Sequence, residues 1–165
     1  MKKRLLAALA ALFIAGTSSI FAVGIGAQGG YTIGGGAGGA LTFKLDDFPA
    51  VFAVDAAFGS YTSIGVTADW WIQNPELASG SAGSWNYFYG VGLAGSVAMS
   101  EDIFGLNLGV RAVLGTNVFL FDDFLEFYAQ VAYQPTFGIA LSGDYGNAGF
   151  NWLGFPVNAG FRVWF

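Results

Sequence analysis

Phe155-Pro156-Val157-Asn158-Ala159-Gly160-Phe161-Arg162-Val163-Trp164-Phe165 carries the clearest strand pattern in the chain. Phe155, Val157, Ala159, Phe161, Val163 and Phe165 take alternate positions, with Pro156, Asn158, Gly160, Arg162 and Trp164 between them. A strand sends successive side chains to opposite faces, so the first set forms one apolar face and the second a more polar one. Hydrocarbon suits the first face and a polar interior suits the second, as in a membrane-spanning barrel strand.

Working back along the chain, the same alternation recurs. Leu125, Phe127, Ala129, Val131 and Tyr133 oppose Glu126, Tyr128, Gln130, Ala132 and Gln134. Further back, Leu106, Leu108, Val110, Ala112 and Leu114 oppose Asn107, Gly109, Arg111 and Val113. Period-two patterning bounded by turn residues divides the chain into eight segments, about 23–33, 38–46, 50–59, 62–73, 85–99, 104–118, 124–137 and 155–165. The connections include Gly34-Gly35-Gly36, Asp46-Asp47-Phe48-Pro49, Asn74 to Ser84, Asp122-Asp123 and Ser142 to Gly154. Tilted barrel strands need about 9–11 residues to cross a bilayer, and nearly every segment reaches that. An even count closes the sheet without an edge, which lipid demands. The expected fold is all-β, an eight-stranded antiparallel up-and-down transmembrane β-barrel.

Charge placement gives a second test. Beyond the first four residues the bases are Lys44, Arg111 and Arg162, each on the inward parity of its segment. Asp55, Asp69 and Glu126 also fall inward, and the other eight acids lie in connections or at strand ends. No charge need face lipid at mid-membrane, where a base would cost about 2–4 kcal/mol. These six residues are the expected lumen salt-bridge network. Arg111 and Arg162 are expected to pair with inward acids, Glu126 being the nearest because its strand lies between theirs.

The composition agrees. Of 165 residues, 55% are hydrophobic and only 10% charged, against about 25% charged in soluble domains. The N-terminus reads as an export signal over 1–22, with Lys2, Lys3 and Arg4 before an apolar run from Leu5 to Ala15. Residues 23–165 then form the barrel, whose three bases and eleven acids give a net charge of −8. Such acidity argues against nucleic-acid binding, which needs a basic footprint. With no cysteine, disulfides and lipoprotein anchoring are excluded. With no histidine, a Ser-His triad is excluded.

Other motifs have plain structural readings. Gly24-Gly26-Gly29 and Gly90-Gly92-Gly95 match G-x-G-x-x-G, but neither precedes a helical pattern as nucleotide binding requires. They read as inward glycines leaving room for larger lumen residues. Asp46-Asp47 and Asp122-Asp123 read as turn residues bonding their own backbone rather than as cation sites. Aromatics gather at one set of strand ends (Phe48, Trp70, Trp71, Trp85, Tyr87, Phe119, Phe121, Phe124, Trp164, Phe165) and more sparsely at the other. Two interfacial belts are expected.

The closing run Gly160 to Phe165 resembles the C-terminal signature of outer-membrane barrels. Ala40-Leu41-Thr42-Phe43-Lys44-Leu45-Asp46 and Gly65-Val66-Thr67-Ala68-Asp69-Trp70-Trp71 are similar to stretches of small spirochaete outer-membrane proteins, themselves similar to the OmpA transmembrane domain. The resemblance implies that Phe161, Val163 and Phe165 are the signal read by the barrel-assembly machinery, and that outer-membrane lipid surrounds the protein.

Two functions are compatible with these readings. One is a structural role in the outer membrane, with a closed, salt-bridged lumen. The other is surface binding of a host factor or small ligand through outward loops. The long connection near 138–154 offers Asp144, Tyr145, Phe150 and Trp152 as contacts. A general porin is disfavoured, since aqueous channels need about 16 strands. No enzyme activity, metal or cofactor is expected.

Overall fold

The structure is a computed structural model that describes residues 22–33, 36–58, 62–100, 103–142 and 145–165. The expected signal segment lies outside the described residues except for Ala22. No helix among the described residues is long and apolar enough to cross a membrane, which leaves open a crossing by strands.

The strands are β1 (Val23–Ile33), β2 (Ala37–Leu45), β3 (Ala50–Phe58), β4 (Thr62–Gln73), β5 (Glu76–Gly80), β6 (Gly83–Met99), β7 (Phe104–Leu120), β8 (Leu125–Tyr133), β9 (Thr136–Ser142), β10 (Tyr145–Asn151) and β11 (Phe155–Trp164). Hydrogen bonding runs β1-β2-β3-β4-β6-β7-β8-β11, and β11 pairs back onto β1, every pairing antiparallel. The sheet is therefore a closed eight-stranded barrel. The seam is fastened at its end by reciprocal bonds between Val23 and Phe165, each 3.1 Å. Closure leaves no edge in the ring, so backbone groups are satisfied without water.

Alternation works inside out relative to a soluble sheet. Leu41, Val66, Leu93, Leu108, Val110 and Leu114 are exposed on the outer wall, whereas Asp69, Arg111, Asn117, Glu126, Gln130 and Arg162 are buried within. An apolar outside with a polar inside is the membrane-barrel arrangement.

Two stretches expected to be connections are strands. β5 folds back on the start of β6, from Gly80 opposite Gly83 to Glu76 opposite Asn86. β10 forms a hairpin with β9, and β9 in turn pairs with the far half of β7. β8 and β9 thus make one long stave against the 17 residues of β7, interrupted at Gln134-Pro135. Proline has no N–H to give the ladder, and Gln134 N–H donates instead to the Gly154 carbonyl at 2.8 Å. The wall is consequently uneven in height. At ~3.4 Å per residue, the 17-residue strands span roughly twice the length of the 9-residue β2 and β3.

In the β7–β8 turn, Phe121, Asp122 and Asp123 all have positive φ, of 58°, 55° and 65°. Asp tolerates this region better than most residues. The turn closes with Phe124 N–H on the Phe121 carbonyl at 3.2 Å.

Candidate functional site

The lumen is two layers. The layer nearer the chain termini centres on Glu126. β8 and β11 set Arg162 directly opposite it, and Arg162 Nη1 lies 2.7 Å from Glu126 Oε2. Trp164 Nε1 donates to the same oxygen at 3.1 Å, and Asn117 Nδ2 donates to Oε1 at 2.9 Å. Both carboxylate oxygens are therefore engaged. Arg162, Glu126, Asn117 and Phe88 have zero exposure.

The guanidinium is also covered by rings. Arg162 Cζ sits 4.1 Å from the Tyr128 ring centroid and 5.5 Å from that of Trp71. Trp71 stacks on Phe88 with centroids 3.8 Å apart and planes at 12°. Lys44 Nζ stands 5.5 Å from the Trp71 ring and 5.3 Å from that of Trp164. Cation–π contacts gain strength where water is excluded, reaching about 2 kcal/mol. Tyr128 donates from its hydroxyl to Gln28 Oε1 at 2.9 Å. Charge, ring faces and amides thus fill this half of the barrel.

The second layer lies toward the opposite end. Asp69, Gly92 and Arg111 form one lateral row across β4, β6 and β7. Gly92 has no side chain, so Arg111 passes over it to Asp69, with Nε–Oδ1 2.7 Å and Nη2–Oδ2 3.2 Å. Gln134 Oε1 accepts from Arg111 Nη1. The expected Arg111–Glu126 pairing is thus corrected: β8 is adjacent, but the open path over Gly92 leads to Asp69.

Of the six residues expected to form one network, the structure makes two separate pairs. Lys44 joins the first layer through rings. Asp55 makes no ion pair among the described residues. Its carboxylate lies over Gly65, about where a methyl group there would stand, at 2.7 Å. Above Arg111 a cavity of ≈ 210 Å³ is walled mainly by hydroxyls, amides, glycine and alanine, with Asp55 and Arg111 its only charged groups among the described residues.

Glycines of the two G-x-G-x-x-G matches serve this packing. Trp164 lies over Gly24, 2.8 Å from where a Cβ would be, and the backbone and side chain of Asp69 crowd Gly92. No helix follows either match.

Among the aromatics, Phe48 and Trp70 meet edge to face on the outer wall, 5.2 Å apart. Trp71 departs from the expected rim position: it follows Trp70, so it must face inward, and it is only 5% exposed. The same parity signal in the sequence marks Phe88, in phase with Gly90 and Gly92. Trp71, Phe88 and Asn117 are lumen residues that hydrophobicity alone does not single out, whereas strand parity sets Tyr128 inward.

Phe161 and Phe165 are exposed on the outer wall and Val163 shares their parity, half buried. Of the expected loop contacts, Asp144 lies outside the described residues and Tyr145 opens β10 opposite Ser142. Phe150 stacks on Trp152 at 5.1 Å and meets Phe137 at 5.0 Å. They continue the apolar outer wall.

No protein-family model matches this chain, and no curated protein matches it. Among solved structures it is similar to a major outer membrane protein from Thermus thermophilus, with 11% identity and a TM-score of 0.46, over 89% of this chain and 100% of that one. It is also similar to the Acinetobacter baumannii outer membrane protein Omp33, with 10% identity and a TM-score of 0.24, over 88% of this chain and 98% of the other. The closed register and the apolar outer wall, taken by themselves, make the chain an eight-stranded transmembrane β-barrel.

Proposed function

We propose that the protein is an integral outer-membrane barrel of the OmpA-transmembrane-domain type found in small spirochaete proteins, with a structural role in membrane integrity. It is exported behind the 1–22 signal and delivered to the assembly machinery through Phe161, Val163 and Phe165. The observation that carries the reading is the filled terminal half of the lumen, where Arg162, Glu126, Asn117 and Phe88 are wholly buried. A narrow barrel packed with paired charge and rings is suited to holding a wall together rather than passing solute.

The test is a deletion strain. Tagged protein is expected in the outer-membrane fraction, and its loss should raise uptake of a large hydrophobic dye, restored by the intact gene. Recovery in the soluble or inner-membrane fraction, or unchanged dye uptake on deletion, contradicts the proposal.

A second reading, surface binding of a host factor or small ligand, is favoured by one observation. Phe150, Trp152 and Leu153 are 62%, 61% and 73% exposed on the β9–β10 hairpin and the segment that follows it, outside the closed ring. Phe150→Ser with Trp152→Ser should then abolish adhesion of intact cells to host-cell extracts while leaving surface levels unchanged. Unaltered adhesion removes this reading.

A further inference from the structure

The lumen charges are sorted along the barrel axis. Near the termini, Lys44 and Arg162 face the single acid Glu126. In the other half, Arg111 faces two acids, Asp69 and Asp55, and only Asp69 is bonded to it. Among the described lumen-facing side chains, the terminal half therefore carries one excess positive charge and the opposite half one excess negative charge, the latter resting on Asp55.

Asp55 sits in a ring of hydrogen-bonding and small residues. One lateral row runs Gln28, Ala40, Asp55, Gly65, Ser96, Asn107, Gly138 around β1, β2, β3, β4, β6, β7 and β9. Ala40, Gly65 and Gly138 bring almost no side chain to this row, so the polar heads of Asp55, Ser96 and Asn107 line open space. That space is the ≈ 210 Å³ cavity. At ~30 Å³ per water, it has room for roughly seven waters or an organic molecule of comparable size. Its floor is Arg111, held from behind by Asp69, and beneath it the packed layer begins.

We propose that this cup binds a small organic cation, a primary ammonium, with Asp55 as its counter-charge. Arg111 is committed to Asp69 and Gln134, so the half-buried Asp55 carboxylate has no salt bridge among the described residues and takes a cation at little desolvation cost. An ammonium has three donors; Asp55 and Ser96 supply acceptors on one rim, while the Asn107 amide donates to Ser96 Oγ at 3.5 Å and its Oδ1 lies over Gly138. Calcium fits poorly, because it takes six to eight oxygen ligands and the cup brings a single carboxylate among the described residues. Anions are repelled by the same excess charge. The positive layer beneath stops a cation from travelling further, so the cup is a site and not a path.

The probe is n-butylammonium, titrated into isotope-labelled barrel refolded in detergent at low salt and followed by backbone amide shifts. Saturable shifts are expected at Asp55, Ser96 and Asn107, weakening as salt rises. Glucose and acetate should cause none. Asp55→Asn, and Asp55→Ser as a second variant should the first misfold, should each lower affinity by about tenfold or more. Equal binding by the Asp55 variants, equal response to glucose or acetate, or no saturable shift with n-butylammonium overturns the proposal. None of these outcomes bears on the dye-uptake test, so the two readings fail separately.

Discussion

Glu126 receives donors from Arg162, Trp164 and Asn117 with no water-facing alternative. Removing its charge strands a buried guanidinium, and breaking such a pair costs about 3–5 kcal/mol. Glu126→Gln is therefore expected to lower the urea midpoint of the detergent-refolded barrel. Arg162→Met in the same chain should recover part of the loss, because the orphaned charge is then gone. A loss in the double variant equal to the sum of both single losses would show that the pair does not act as a unit. Gly115 makes the complementary point. Phe88 and the Ala129 carbonyl occupy the space a side chain would need, so Gly115→Val should destabilise by roughly 1–3 kcal/mol in the same assay. An unchanged midpoint would mean that Phe88 is free to move. At this scale the sequence was partly legible. Parity placed all six charged residues inside, since a two-residue period needs no tertiary knowledge. The choice of partner for Arg111 was not legible, because it depends on which neighbouring row is open, and that required knowing that Gly92 aligns with both Asp69 and Arg111.

The β9–β10 hairpin is an extension of the ring rather than part of it, since closure rests on β8 with β11 and β11 with β1. Phe137 and Phe150 are opposed in its ladder, so residues 138–149 can be replaced by Asn-Gly, which favours a two-residue hairpin turn. The shortened chain should still refold, with a urea midpoint near the parent's. Failure to refold would show that the tall wall is needed for closure. Phe165 is a different kind of element end. Its backbone closes the seam against Val23, but its side chain is 71% exposed. Phe165→Ser keeps both backbone bonds, and is expected to lower outer-membrane levels in cells while leaving detergent refolding intact. Equal membrane levels would remove the assembly role. The barrel strands with alternating bulky residues were readable from sequence alone because each had one consistently apolar parity. β5 and β10 were not. Glu76-Leu77-Ala78-Ser79-Gly80 and Tyr145-Gly146-Asn147-Ala148-Gly149-Phe150-Asn151 are rich in small and turn-prone residues, and they are strands because a neighbour offers a ladder rather than from their own propensity. Trp71 shows the reverse error: a preference of tryptophan for interfaces was given more weight than its strand parity.

The whole molecule is a closed wall with lipid-facing apolar residues outside, a filled layer at one end and a cup at the other. A closed sheet exchanges no edge bonds with water and opens only when many break together. The refolded protein should give β-rich circular dichroism and migrate differently unheated and boiled. The terminal layer seals this wall, and single-channel recording in planar bilayers measures the seal. The parent is expected to show no steady conductance, and Trp71→Ala with Phe88→Ala, which empties the stacked centre of that layer, is expected to open one. A steady conductance in the parent that the double substitution leaves unchanged would contradict the sealed barrel.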